Sequence, residues 1–364
     1  MTQIEHYEWS LVPARWGRGV GRNGTGFARM PDTAQTPIHA PYLVRASIAR
    51  RASDDGGFMS QVHSIETEQS RSSEAFEIPL HLLVGATGEE SSVGALHIAS
   101  AIARRSGATV RVVTVSTPFP HAVGIADVTS PPMLDEENRR AALGALKVRL
   151  EDLPDAETWN VHAVVGWPRE AIVDEADRWP ASLIVLGKGA HHAWDRLFGP
   201  ETAIAVARNT RAPVLAVAPD ARTIPSRVLA GIDFTKSSLN AAKLAARLML
   251  PDGVLVLANV SAFDDRAAPQ GSLADLYDTG VADKLETCQR EIQRETGRNI
   301  QTALLTGEVV KQLVEYADHE HCDLIAVGGH HLGFVDRVLI GSVRTGVLRS
   351  ASCSVLIGPQ QAEV

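Results

Sequence analysis

The chain has 364 residues, 45% of them hydrophobic and 21% charged, and a formal net charge of −8. This length predicts two domains with ample buried cores, and the acidic balance argues against general nucleic-acid binding. Cys288, Cys322 and Cys353 are the only cysteines and none has CxxC spacing, which excludes a disulfide framework and a zinc ribbon. No run of about 18 apolar residues supplies a transmembrane helix, and the arginine-bearing start lacks an apolar signal core. The expectation is a soluble, cytoplasmic, two-domain protein.

Residues 1–75 show no sustained period and are rich in Gly, Pro, Ser, Thr and Arg, with no lysine. They read as a disordered leader, or as an over-extended start, since Met59 opens a polar stretch leading to the first strand.

From there, short β-rich runs alternate with helical patterns. Strands are expected at 80–85, 109–115, 161–165, 183–186 and 214–217, then at 228–232, 254–260, 302–305, 324–327 and 355–357. Helices are expected at 135–153, 171–178, 238–250, 273–295 and 309–318. Alternating elements with near-continuous apolar strands predict parallel sheets covered on both faces. Right-handed crossovers then make each half a five-stranded doubly wound domain.

The two halves repeat with a period of about 141 residues. Leu183-Ile184-Val185-Leu186-Gly187 is echoed by Leu324-Ile325-Ala326-Val327-Gly328. A His-His pair follows each (His191-His192, His330-His331), then Asp195-Arg196 and Asp336-Arg337, then Gly199 and Gly341. A period this long is a domain duplication. The domains are expected at 76–220 and 226–360.

Ligands of such sheets bind beyond the carboxyl ends of the strands. In the second half, the first strand runs into Asp233, beside a helix start at 234–238. Its carboxylate is either a ligand acceptor or a turn and cap residue. The fourth strand ends at Gly328, and Gly341-Ser342-Val343 opens the last helix. Bare backbone and free N–H groups there suit an anion, or else Gly328 is a turn and Ser342 an N-cap. The histidine and cysteine pairs do not make a metal site. His321 and Cys322 are separated from His330 and His331 by four strand residues, roughly 13 Å. The tryptophans Trp159, Trp167, Trp179 and Trp194 read as packing residues of the first half.

Together these residues resemble the universal stress protein (UspA) family, over about residues 77–359. The family's signature is Gly-x-x-Gly, nine residues, then Gly-Ser or Gly-Thr, with an Asp ending the first strand. Asp233, Gly328, Gly341 and Ser342 fit it, and the resemblance places Val327 and Val343 beside the ligand and Asn259 and Val260 near the adenine. His331 stands where the second glycine belongs, and the Gly-x-His-His pattern is similar to the branch that does not bind ATP. The first half departs further, with Thr87 in place of the aspartate, Ala190 for the second glycine, and Pro200 for the serine.

The resemblance implies two Rossmann-like domains of the adenine nucleotide alpha hydrolase-like kind, joined through last strands or sheet edges as an internal pseudo-dimer that can pair again as a homodimer. It implies a non-catalytic stress-response protein acting through partner or small-ligand binding, its protein partners unknown. The alternative is an adenine-nucleotide switch or weak ATPase, with ATP held by the second domain and none by the first.

Overall fold

Runs of Leu, Val, Ile and Ala form strands where both faces are buried; all ten expected runs form strands, and the outer two, at 160–165 and 299–306, stay partly exposed. The computed structural model describes residues 80–117, 132–189, 199–261, 273–328 and 342–358, with backbone alone at 132, 273–279 and 342. The first half comprises β1 (His81–Gly85), α1 (Val93–Ser106), β2 (Thr109–Ser116), α2 (Pro132–Leu150), β3 (Asn160–Val165), α3 (Pro168–Arg178), β4 (Leu183–Gly187), α4 (Pro200–Asn209) and β5 (Val214–Val217). The second comprises β6 (Arg227–Gly231), α5 (Lys236–Leu248), β7 (Val254–Ser261), α6 (Leu273–Thr296), β8 (Asn299–Thr306), α7 (Val309–His319), β9 (Leu324–Val327), α8 (Ser342–Ser350) and β10 (Ser354–Ile357).

Helices α2 and α3 each begin three residues before their expected starts, and α2 also ends three residues early; β8 and α5 shift too, and α1 has no counterpart among the expected helices. Strand β8 starts three residues early, because its polar Asn299 and Gln301 face solvent while Ile300 is buried. Helix α5 starts at Lys236 because Thr235 caps it, accepting a hydrogen bond from Ser238 N. Helix α1 has no clear apolar stripe in sequence. It is built from Ala95, Ala99, Ser100 and Ala103, small residues that let it lie close on the sheet.

Each half orders its strands as expected of a doubly wound domain, β3-β2-β1-β4-β5 and β8-β7-β6-β9-β10, parallel throughout. The two five-stranded sheets are not separate. Strand β10 pairs antiparallel with β5, Leu356 opposite Leu215, and the result is one ten-stranded sheet. Alone, each of these strands would be a hydrophobic edge with unpaired backbone, and all eight of their residues are buried here.

Two core layers cover the sheet. One packs α1, α2, α5 and α6 through Leu96, Leu146, Ala242 and Leu285. The other packs α3, α4, α7 and α8 through Ile172, Ala203, Leu313 and Val347. Polar pins cross the seam. Arg105 of α1 donates to Arg247 O, Leu248 O and Met249 O at the end of α5, the last at 2.6 Å. Arg349 of α8 pairs with Glu201 of α4 at 2.7 Å. Ala218 N donates to Ser354 Oγ.

Candidate functional site

The strand order reverses between β6 and β9, and likewise between β1 and β4. A crevice for a ligand lies at the carboxyl ends beside such a reversal. The turn after β6 carries the exposed Asp233. Its Oδ1 accepts from Thr235 N at 3.0 Å and Thr235 Oγ1 at 2.6 Å, and its own N donates to Ser238 Oγ at 3.4 Å. Asp233 therefore shapes the turn that presents the α5 cap. Phe234 adopts φ 63°, a left-handed conformation unusual for an aromatic residue, and Lys284 Nζ of α6 lies 5.7 Å from its ring centre. Asn259 of β7 donates to Ile232 O at 2.7 Å and ties the neighbouring strand end to the same turn.

Gly328 lies beside this turn. A Cβ there would stand 2.7 Å from Ser238 N and 3.1 Å from Ser237 C. The glycine thus lets the end of β9 abut the start of α5. Ser238, which sequence reasoning passed over, joins the two candidate positions; the Thr235-x-x-Ser238 spacing at the helix start is its signal. Val327 is buried and Val343 half-buried, and both pack in the core layer beneath α7 and α8. Ser342 is the first residue of α8. Gly341, His330 and His331 lie outside the described residues, as do Asp336-Arg337 and Asp195-Arg196.

The first half uses the same places differently. Gly187 is also a packing glycine, since a Cβ would stand 2.4 Å from Ser91 O. Thr87, where the second half has its aspartate turn, is buried, its N donating to Ser92 Oγ. The next residue, Gly88, meets α2 directly: a Cβ would lie 2.5 Å from Ala145 Cβ, and Arg149 Nε donates to Gly88 O at 2.9 Å. Pro200 occupies the first turn of α4, removing one N–H from that helix start. Lys188 follows Gly187 and is buried. Its ammonium donates to Ala351 O and, at 3.2 Å, to Cys353 O in the other half. Burial lowers its pKa below the ordinary lysine value.

Cys288 and Cys322 are buried and Cys353 is half-buried. Burial pushes Cys322 up to about 12 and Cys353 up to about 11, and it raises Cys288 too. Among the described residues, no group of three His, Cys, Asp or Glu side chains could hold a metal ion. No helix among them is long and apolar enough to cross a membrane. Of the four tryptophans between residues 159 and 194, Trp159 is buried, and Trp179 stacks on His81 with its ring beneath the Arg111 guanidinium. Trp194 lies outside the described residues. Trp167 corrects the expectation of packing, for it is exposed. It follows β3 directly, at the outer edge of the sheet, where only one neighbouring strand supplies packing.

A family model described as the universal stress protein family matches residues 80–218 and again residues 225–359. Over 138 residues the chain is 32% identical to a universal stress protein of Mycobacterium tuberculosis, covering 36% of this chain and 93% of that protein. Among solved structures, a universal stress protein of Archaeoglobus fulgidus matches with a TM-score of 0.55 and 18% identity, covering 77% of this chain and 96% of the other. A functionally unknown protein of Pseudomonas aeruginosa matches with a TM-score of 0.51 and 16% identity, covering 78% and 93%. At these identities the two structures speak to the fold alone.

Proposed function

Because the chain belongs to the universal stress protein family, we propose that it serves the stress response as a non-catalytic cytoplasmic binding protein. Its domains span 76–220 and 226–360; the second holds a small ligand and the first is scaffold. The observation that carries this reading is the difference between two equivalent turns. In the second domain the turn after β6 offers an exposed Asp233 beside a capped helix start. In the first, the equivalent turn has Thr87 and is pressed against α2 at Gly88 and Ala145.

A second reading, an adenine-nucleotide switch or weak ATPase, is favoured by the chemistry of the same turn. A carboxylate at a strand end can accept from an adenine amine or a ribose hydroxyl, and the start of α8 at Ser342 suits a phosphate. Asp233, Val327, Gly328, Gly341, Ser342 and Val343 are the residues we assign to this site. The test is isothermal titration of the full chain with ATP and magnesium, alongside Asp233→Asn. That variant keeps an oxygen for Thr235 and removes the charge, so it separates the turn from the ligand. Saturation near one site per chain, weakened in the variant and without phosphate release, supports a nucleotide-responsive binding protein. Steady phosphate release moves the chain to the enzyme class. No heat at millimolar ATP removes the nucleotide and leaves protein partners and other small ligands.

A further inference from the structure

The seam between the halves obeys a local twofold. Strands β5 and β10 take the same register against β4 and β9, which makes Leu215 and Leu356 equivalent residues of the repeat. These two lie directly opposite each other where β5 meets β10, so the axis passes through that pair. Across a twofold, each contact has a twin in which the equivalent residues exchange roles. Helices α4 and α8 pack against each other across this axis. Counting from the equivalent buried residues Val206 and Val347, Arg208 corresponds to Arg349, Glu201 to Ser342 and Ala203 to Arg344.

One corner of the seam is neutral. Arg349, near the end of α8, donates to Glu201 in the first turn of α4, Nε at 2.8 Å and Nη2 at 2.7 Å. The twin of that contact sets Arg208, near the end of α4, against the start of α8, where the chain has Ser342 in place of a glutamate. Arg208 is exposed and has no ion pair among the described residues. The same corner gains a second cation. Ala203 is buried, whereas its equivalent Arg344 brings a half-buried guanidinium to the seam. Burial, and then repulsion from Arg208, lower the Arg344 pKa, so the two charges sense each other. A second arginine thus stands where the other corner has a single arginine and its carboxylate. Like charges held this close disfavour the fold and favour an anion between them.

We propose that Arg208 and Arg344 form a cross-domain binding site for a phosphate group, which takes the place held by the Glu201 carboxylate at the twin corner. Guanidinium forks match phosphate oxygens in a bidentate way. The first domain, otherwise scaffold, then lends a residue to the second domain's ligand. This deepens, and rests on, the reading of the α8 start as the phosphate end of the candidate site.

The test is isothermal titration of the full chain with inorganic triphosphate, ATP and adenosine. Triphosphate carries the anion without the nucleoside, and adenosine carries the nucleoside without the anion. The wild-type chain is expected to bind triphosphate. Arg208→Ala is expected to weaken that binding by about tenfold or more. Ser342→Glu, which supplies the missing carboxylate, is expected to abolish it. Arg349→Ala, at the corner already neutralised by Glu201, is expected to leave it unchanged. A wild-type chain that binds no triphosphate overturns the proposal. So does equal weakening by Arg208→Ala and Arg349→Ala, because general charge then carries the binding. ATP binding that Asp233→Asn weakens and Arg208→Ala does not also overturns it, while leaving the nucleotide reading intact. Triphosphate bound through Arg208 by a chain that ignores adenosine, and that holds ATP no better than triphosphate, upholds the phosphate site without the nucleotide reading.

Discussion

A Cβ on Gly328 would stand 2.7 Å from the amide nitrogen of Ser238. The clashing atoms are backbone, so no side chain can swing away. Gly328→Ala is expected to cost about 1–3 kcal/mol in chemical denaturation. Gly187→Ala, whose Cβ would meet Ser91 O at 2.4 Å, is expected to cost as much. A neutral result at either position would show that strand end and helix start are further apart than described.

Arg105 covers three carbonyls at the end of α5, across the seam between domains. Arg105→Met keeps much of the stem and removes the donors. Charged hydrogen bonds of this kind carry about 1.5–3 kcal/mol, so a loss of about 2 kcal/mol is expected. Limited proteolysis should then cut sooner in the connection between β5 and β6, which is tied across the same seam by Ala218 N donating to Ser354 Oγ.

The thiols predict an alkaline weakness. Cys322 and Cys353 hold their protons up to about 12 and about 11 in the fold, above the ordinary 9.0. Their contribution to stability is whole below pH 9 and is lost as pH rises through the folded values. Unfolding midpoints should therefore fall above pH 9, and a Cys322→Ala, Cys353→Ala double variant should fall less steeply. In the native protein at pH 8, an aromatic disulfide reagent should react slowly with these thiols and rapidly once denaturant is added.

Glu308 caps α7 with both carboxylate oxygens. Glu308→Ala is expected to cost about 1 kcal/mol, and Glu308→Gln less, since one acceptor remains. The loss should appear as faster amide exchange at Val310 and Lys311, with the rest of the second domain unchanged.

Sequence alone determined the strands, the duplication and the family. Buried parallel strands need apolar runs, and runs such as Leu183–Leu186 and Leu324–Val327 are unmistakable. It also marked Asp233 and Gly328 as special, since few other residue types serve a strand-end turn or a close backbone approach. What each does was decided by tertiary structure. Gly328 is a glycine because α5 lies against it, and Asp233 orders a turn whose partner, Thr235, the linear pattern could not rank above a ligand. The single ten-stranded sheet was implied by the resemblance, which joins the halves through last strands or sheet edges, but not by composition, because an edge strand and a paired strand share the same apolar composition. Only the meeting of β5 with β10 distinguishes them. Trp167 was misread for the converse reason. An aromatic residue carries the same sequence signal in a core or at a surface, and its place beyond the outermost strand put it in water.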